Sequence, residues 1–272
     1  MLRSDTISSQ RSYGFWQKLG ILVDTIIRVK NWHIPILFYL GMGKKEDIVL
    51  FRDGTKCILR DKSDATGFYE NFFLKTNVGE DVIIKENDII IDVGAHVGFF
   101  SIYAAKKASK GMVYAFEPSQ ESFRNLQRNI KLNNLDNVIA ENYGILKNTG
   151  TAELFVNKNA SMLSSMFTSD SSSKKETVSV ISLQEIIEKH QIKKVDLLKL
   201  DCEGAEYEII LNLSKNILEK ISKFSVETHP YVKNHNMKDL LKFFETNNFK
   251  TKIQKPILEY YMLHVFNARI KE

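Results

Sequence analysis

Cysteine is scarce. The 272-residue chain holds two, Cys57 and Cys202, far apart in sequence. Such a pair supports neither a disulfide framework nor a cysteine-based zinc spacing. Long apolar runs are lacking too. The longest, IPILFYLGM over residues 34–42, is far below the roughly 18–20 residues that a transmembrane helix needs. No secretory signal is expected, because polar residues and Arg11 precede any apolar run, and the expected compartment is the cytoplasm. No internal repeat points to a solenoid or a propeller.

What is present is ordinary in bulk and uneven in detail. With 43% hydrophobic and 26% charged residues, the chain belongs with folded globular proteins and not with disordered ones. Its length suits one large domain, or a domain with an accessory segment, and allows a substantial core. The net charge of +5 is concentrated. Residues 1–45 carry seven basic residues (Arg3, Arg11, Lys18, Arg28, Lys30, Lys44, Lys45) against Asp5 and Asp24, so this segment holds the whole excess. A basic amphipathic arm suits an anionic membrane, a nucleic acid or an acidic glycan, and it can equally be a solvated helix face. Trp32, Phe38 and Tyr39 beside Lys30 fit peripheral membrane contact.

The periodicity divides the chain near residue 66. Over 1–66 it predicts a partly disordered lead, a helix over 14–29, and a hairpin of 48–51 with 56–59 around Asp53-Gly54. A short helix over 67–74 follows. From residue 88 strands alternate with helices: strands at 88–93, 111–116 and 137–142, helices at 98–108 and 119–133. This order implies a parallel sheet with right-handed crossovers. Strands at 151–156 and 177–181 flank a Ser-rich stretch, 161–175, read as a flexible loop. A capping-box pattern, Ser182 with Glu185, starts a helix over 182–190. Strands at 195–200 and 223–227, helices at 205–213 and 239–246, and a closing antiparallel strand pair at 250–254 and 260–267 complete the pattern. The expected fold is α/β: a Rossmann-like, doubly wound, mostly parallel seven-stranded sheet over 67–272, preceded by a helical and hairpin extension over 1–66.

Four segments carry chemistry. The first, IDVGAHVG over 91–98, follows a buried strand and opens a helix, as a glycine-rich cofactor loop requires. Gly94 permits the tight turn and Gly98 allows close packing of helix on strand. A dinucleotide site needs glycine at the second position, so that backbone can approach pyrophosphate; here that position is His96. Asp92 also repels a phosphate and suits a ligand carrying an ammonium and a sulfonium. The loop therefore favours S-adenosylmethionine over a nicotinamide dinucleotide. The second segment, AFEP over 115–118, puts Glu117 at a strand end, 25 positions after Asp92, where an acid can accept hydrogen bonds from ribose hydroxyls. The third, DLLKLDCEGAE over 196–206, delivers Asp201 and Glu203 to the carboxyl edge of the sheet; with Glu206 these are too many acids for a cap alone, although a plain first-turn helix charge stays open for Glu206. The fourth, VETHP over 226–230, sets Glu227 and His229 on one side of a strand end.

The strings IDVGAHVGFFSIYAA, AFEPSQESFRNLQRNI, DLLKLDCEGAE and VETH together resemble the FkbM family of methyltransferases, over about residues 70–230. The resemblance implies a class I S-adenosylmethionine-dependent enzyme, whose final antiparallel strand pair is a feature that nicotinamide-binding sheets usually lack. Many such enzymes act on sugar hydroxyls in glycans or natural products. By position, Asp92, Gly94, Ala95, His96 and Gly98 would cradle the methionine half of the cofactor. Glu117 would hold the ribose, with Pro118 and Ser119 flanking the adenine and Glu141 and Asn142 at its edge. Glu70 would contact cofactor or substrate. Asp201, Glu203, Glu227 and His229 would line the acceptor side, Asp201 counting for the cofactor as well.

The expected reaction is in-line displacement at the sulfonium methyl by an acceptor oxygen. Two ways of activating the hydroxyl stay open. His229 is the first candidate for general base, oriented by Glu227 or Asp201. Alternatively, Asp201, Glu227 and His229 bind a divalent cation that lowers the hydroxyl pKa. The expected partner is a small-molecule or glycan acceptor, and residues 1–45 can bring the enzyme to a membrane or a lipid-linked glycan. Nucleic acid is not expected, because the core is near neutral and lacks a basic stripe with interleaved aromatics. An RNA or protein methyltransferase and a cofactor-binding scaffold without turnover are the competing classes. The Ser-rich stretch is read as a lid or acceptor loop, or as a plain surface insertion.

Overall fold

Short apolar strands buried on both faces, each ending near an acid, form the middle of the main sheet. In the computed structural model the described residues are 15–79, 81–157, 173–230, 232, 235–254 and 261–269. The chain begins with helices α1 (Phe15–Arg28) and α2 (His33–Tyr39), then strands β1 (Asp47–Leu50) and β2 (Lys56–Leu59). Helix α3 (Lys62–Tyr69) runs directly into a π-helical turn, Glu70–Leu74. There follow β3 (Ile89–Val93), α4 (Phe99–Lys107), β4 (Met112–Phe116), α5 (Gln120–Leu132) and β5 (Val138–Glu141). Strands β6 (Gly144–Leu146), β7 (Gly150–Asn157) and β8 (Ser173–Ser182) precede α6 (Leu183–Lys189) and β9 (Leu197–Leu200). Helices α7 (Ala205–Leu211) and α8 (Lys215–Lys220), β10 (Lys223–Thr228), α9 (Met237–Thr246), β11 (Phe249–Gln254) and β12 (Tyr261–Asn267) close the chain.

The main sheet has seven strands in the order β11-β12-β10-β9-β3-β4-β5. Neighbours from β5 to β10 pair in parallel. β12 lies between β10 and β11 and is antiparallel to both. The expected closing pair therefore exists, but its second member is inserted, so β11 becomes the edge and β12 alone runs reversed. The order turns back between β3 and β9, where β3 joins forward to β4 and sideways to β9. Ligand crevices form at the carboxyl ends of strands at such a switch point.

Several elements differ from the expectations, for local reasons. Helix α3 starts earlier than residue 67 because Asp61 caps it, its side chain accepting from the Asp64 N–H at 2.8 Å. The apolar stretch at 34–42 forms α2, and Ser214 caps α8, which the periodicity over six residues is too short to reveal. β6, β8 and β7 form a separate three-stranded sheet, with β6 parallel to β8. β8 begins at Ser173, inside the stretch read as a Ser-rich loop. The rest of that loop, 158–172, lies outside the described residues, as do 1–14, on which the expectation of a partly disordered lead falls.

The N-terminal hairpin is stitched to the cofactor loop by one side chain. Asn129 of α5 is fully buried. Its Oδ1 accepts from Ile58 N–H of β2 at 3.0 Å, and its Nδ2 donates to the Val97 carbonyl at 2.9 Å. One turn on, Asn133 accepts from Lys56 N–H at 2.9 Å and donates to the Lys56 carbonyl at 2.7 Å. Phe51, Phe68, Phe72 and Phe99 pack between the hairpin, α3, the π-helical turn and α4. Asn129→Ala is expected to strand a buried N–H and a buried carbonyl, costing roughly 2–4 kcal/mol. Asn133→Ala, partly exposed, should cost about 1 kcal/mol. Denaturant midpoints of the two variants check the difference.

Candidate active site

The loop between β3 and α4 is shaped by two glycines and one strained histidine. The N–H groups of Gly94 and Ala95 both donate to the Phe116 carbonyl, at 3.1 and 3.0 Å, so the loop folds over the end of β4. Gly94 has φ +73°, and a Cβ there would collide with the Asp201 carbonyl oxygen. Gly98 has φ +89° and starts α4; a Cβ there would strike the Leu126 side chain. His96 occupies the left-handed region with φ +50°, a conformation that favours glycine. Its N–H donates to Glu117 Oε2 at 2.8 Å, while the Ser119 N–H donates to Oε1 at 2.9 Å. Burial pushes the Glu117 carboxyl up, these two N–H groups pull it down, and the balance leaves it raised to about 7. Burial holds His96 below the usual histidine range.

Beneath the loop lies an ion pair. Asp92 and Lys199 occupy matched positions in the neighbouring strands β3 and β9, and both are buried. Lys199 Nζ is 3.0 Å from Asp92 Oδ1 and 3.6 Å from Asp201 Oδ2. It also donates to the Gly94 carbonyl at 2.9 Å, while Ser101 Oγ donates to Asp92 Oδ2 at 2.6 Å. Burial opposes the charge on Lys199, but Asp92 and Asp201 outweigh it, and its pKa stands above the ordinary lysine range. The cation that Asp92 faces is thus the protein's own. The expectation that its carboxylate meets a cofactor cation needs correcting: Asp92 supports the loop from below.

A second polar group sits where β9 and β10 end. Glu203 (φ +51°) and Gly204 (φ +108°) turn the chain from β9 into α7. Glu206, fully buried, accepts from Gly204 N–H at 2.8 Å and from His229 N–H at 2.8 Å. Its Oε1 is also 3.0 Å from His229 Nδ1, and the other ring nitrogen is 3.5 Å from Glu203 Oε2. Burial opposes a charge on this imidazole, but Glu203 and Glu206 more than offset it, and its pKa lies well above the usual range. Glu206, for which the sequence left a helix-end charge open, holds the ring at Nδ1, and the expected orienters Glu227 and Asp201 lie within 4.8 Å of it. Burial and the nearby Asp201 raise Glu227 well above the carboxylate range, and Glu70 on the π-helical turn adds to this. Asp201, Glu227 and His229 each offer one atom, and the three atoms lie within 4.8 Å of one another.

A cleft opens beside these groups. Of the expected residues, Gly94, His96, Glu117, Pro118 and Asp201 line it, together with Glu203. The others lie outside its lining. Ala95 packs on Phe123 and Leu126 beneath the loop. Ser119 caps α5, its Oγ accepting from Ser122 N–H at 3.5 Å. Glu141 is held by Lys189 at 2.7 Å and His190 at 3.0 Å, so its carboxylate is taken. Asn142 Nδ2 donates to the carbonyls of Glu117 and Pro118, at 2.7 and 2.9 Å, and shapes the wall from outside. Glu70, Glu227 and His229 adjoin the cleft through Asp201. Sequence reasoning missed its apolar side, Tyr143, Ile145 and Leu154, the last two from the small β6-β8-β7 sheet. It also missed Lys199 and the role of Glu206. A lysine facing an aspartate across two otherwise apolar strands was the available signal for the first.

The family model for the methyltransferase FkbM domain matches residues 92–251, from Asp92 to the start of β11. The chain belongs to the FkbM methyltransferase family. Its relatives include Hexuronic acid methyltransferase AglP of Haloferax volcanii, 28% identical over 171 residues that cover 63% of this chain and 67% of that protein. Methyltransferase 1 of Beauveria bassiana is 26% identical over 161 residues, covering 52% of this chain and 65% of its own length. The chain thus spans about two thirds of the curated relatives it matches. A solved FkbM methyltransferase from Methylobacillus flagellatus KT aligns over 92% of this chain and 59% of its own, with 12% identity and a TM-score of 0.49.

The family implies S-adenosylmethionine, and the donor set of this FkbM cleft fits it. The described lining offers three carboxylates, Glu117, Asp201 and Glu203, and neither lysine nor arginine. That suits a cationic ligand without phosphates. The raised Glu117 pKa then has a consequence. Ribose hydroxyls need an acceptor, so binding favours the ionised carboxyl, which forms as pH rises through about 7. S-adenosylmethionine affinity should rise about tenfold between about pH 6 and about pH 8. Glu117→Gln should bind more weakly with a flat profile. The ligand-free protein should show the opposite sign, losing stability as pH rises toward that value. Calorimetric titration at several pH values, with thermal melts alongside, tests both.

Proposed function

We propose that this chain transfers a methyl group from S-adenosylmethionine to a hydroxyl of a sugar in a glycan or glycoconjugate. One observation carries the reading: Asp201 belongs both to the cofactor cleft and to the His229–Glu227 cluster. An acceptor held by that cluster therefore borders the cofactor. The hexuronic acid methyltransferase among the relatives supports the sugar class. A nucleic-acid acceptor has no basic track to follow among the described lining residues.

S-adenosylmethionine, when bound, supplies a methyl group already activated on a sulfonium. The residues therefore supply alignment, exclusion of water and a place for the proton. Glu117 would hold the ribose, and Gly94, His96 and Asp201 the methionine half. His229 Nε2 would take the proton of the acceptor hydroxyl, and the bound cofactor would supply the methyl group that replaces it. Glu206 fixes the ring through Nδ1, as the orienting acid of a base dyad does. Because two glutamates hold the ring charged at rest, turnover should increase toward alkaline pH.

A second reading has its own observation. The donor atoms of Asp201, Glu227 and His229 converge within 4.8 Å, with Glu206 behind the histidine at 3.0 Å. That is the arrangement of a divalent-cation site whose histidine is oriented by a carboxylate. Such an ion would lower the pKa of the acceptor hydroxyl directly. His229→Ala should lower kcat by about 10²–10⁴-fold under the first reading, with cofactor affinity unchanged. Glu206→Gln should lower kcat more mildly. Assay of wild type after chelation separates the readings. Full activity without metal supports the base, whereas loss restored by Mg²⁺ or Mn²⁺ supports the ion. Failure of a folded sample to bind S-adenosylmethionine would sink both readings, whereas binding without turnover would favour the scaffold class.

A further inference from the structure

Helix α1 meets the domain with its mixed side and turns its apolar side to solvent. Thr25 is buried, and its Oγ1 donates to the Ile21 carbonyl at 2.6 Å. Arg28 pairs with Asp24 at 3.2 Å, donates to the Phe72 carbonyl at 2.7 Å and lies over the Phe73 ring at 4.6 Å. The opposite side shows Trp16 (79% exposed), Leu19, Leu22, Val23, Ile26 and Ile27 (61%). This is the reverse of a surface helix, which normally buries its apolar stripe. The exposed stretch continues around α2 to Leu40 and Met42. Of sixteen exposed large hydrophobic residues among the described ones, eleven fall within 16–42. Monomeric soluble proteins rarely leave such a contiguous area bare.

We infer that this face docks on an anionic lipid bilayer. Charge selects the occupant. Residues 1–45 hold the protein's whole positive excess, and Lys18, Lys30, Lys44 and Lys45 are all exposed around the apolar face. Lipid headgroups of negative charge complement this, while a second copy would bring the same positive excess against itself. Residues 1–14, MLRSDTISSQRSYG, are too polar to cover eleven apolar side chains. Helix α1 is about 21 Å long from its residue count, and no helix among the described residues is long and apolar enough to cross a membrane. It therefore lies in the interface, as amphipathic anchors with basic flanks and tryptophan do. The docking helix rests on the same π-helical turn that carries Glu70, so the anchor is joined directly to an element of the acceptor cluster.

The chain contains two tryptophans, Trp16 on the apolar side of α1 and Trp32 at the start of α2, and both are exposed. Their fluorescence reports docking without a label. Full-length protein should pellet with vesicles of phosphatidylcholine and phosphatidylglycerol, with a blue shift in emission, and not with pure phosphatidylcholine. Two variants probe the face: Leu19→Ser with Ile27→Ser and Leu40→Ser, and Lys18→Glu with Lys30→Glu and Lys44→Glu. Each should weaken vesicle binding at least tenfold and leave S-adenosylmethionine affinity unchanged, which certifies the fold. Absence of pelleting and of any blue shift in wild type would overturn the proposal. A concentration-dependent dimer abolished by the serine variant would do the same, by assigning the face to a second copy.

Discussion

Asp92 and Lys199 meet at matched register in neighbouring strands, among residues with apolar side chains, and neither is open to water. Such a pair adds little net stability, because desolvation offsets most of the attraction. Breaking it is another matter, since a lone buried charge costs about 3–5 kcal/mol. What the pair supplies is direction. Lys199 has donors to spare after meeting Asp92, and one of them holds the Gly94 carbonyl while Asp201 lies at 3.6 Å. The cofactor loop on β3 and the acceptor edge on β9 are thereby referred to a single ammonium. Loss of Asp92 would disturb both at once, so an Asp92 variant reports on the architecture more than on a contact with ligand.

Read from the residues alone, the sheet was legible because each strand is a short apolar run between turn residues and the helices between them are amphipathic. Gly94 and Gly98 were legible because a close approach leaves no room for a Cβ, and both positions prove to face such an approach. Glu206 was not. A glutamate in the first turn of α7 satisfies every local rule for a helix-end charge, and its burial against His229 follows only from how β10 is placed beside β9. The same holds for Leu154. Its strand was anticipated, but its position against the cleft depends on β6 pairing with β8 across an intervening segment. Glu70 belongs to a helical reading too, yet the wider π-helical turn aims it at the acid cluster, and no periodicity of 3.6 announces that.

The carboxyl edge of the sheet gathers more acid than it can neutralise. Glu117 ends β4, Asp201 follows β9, and Glu227 lies near the end of β10, with Glu70 and Glu203 close by. Among the described residues Lys199 lies below these acids and the His229 imidazole above them. Burial still leaves Glu117 raised to about 7 and Glu227 raised well beyond the usual range. Desolvated acids of this kind destabilise the ligand-free fold, and they concentrate where a ligand supplies the missing positive charge or hydrogen-bond donors.

The net charge of +5 conceals this arrangement. Beyond residue 45 the chain balances at 31 basic and 31 acidic residues, so the catalytic region is neutral as a whole and acidic only at its cleft. Four lysines of the basic segment, Lys18, Lys30, Lys44 and Lys45, are exposed on or beside α1 and α2, where apolar side chains are exposed too. The exposed lysines of α1 and its neighbourhood do not line the cleft, and the cleft's carboxylates do not lie on α1. Under the two proposals a cationic cofactor would be drawn to the carboxylates and an anionic surface to the lysines. Separation also keeps the two from competing, because a basic flank beside the cleft would repel the cofactor and an acidic flank beside α1 would repel the lipid.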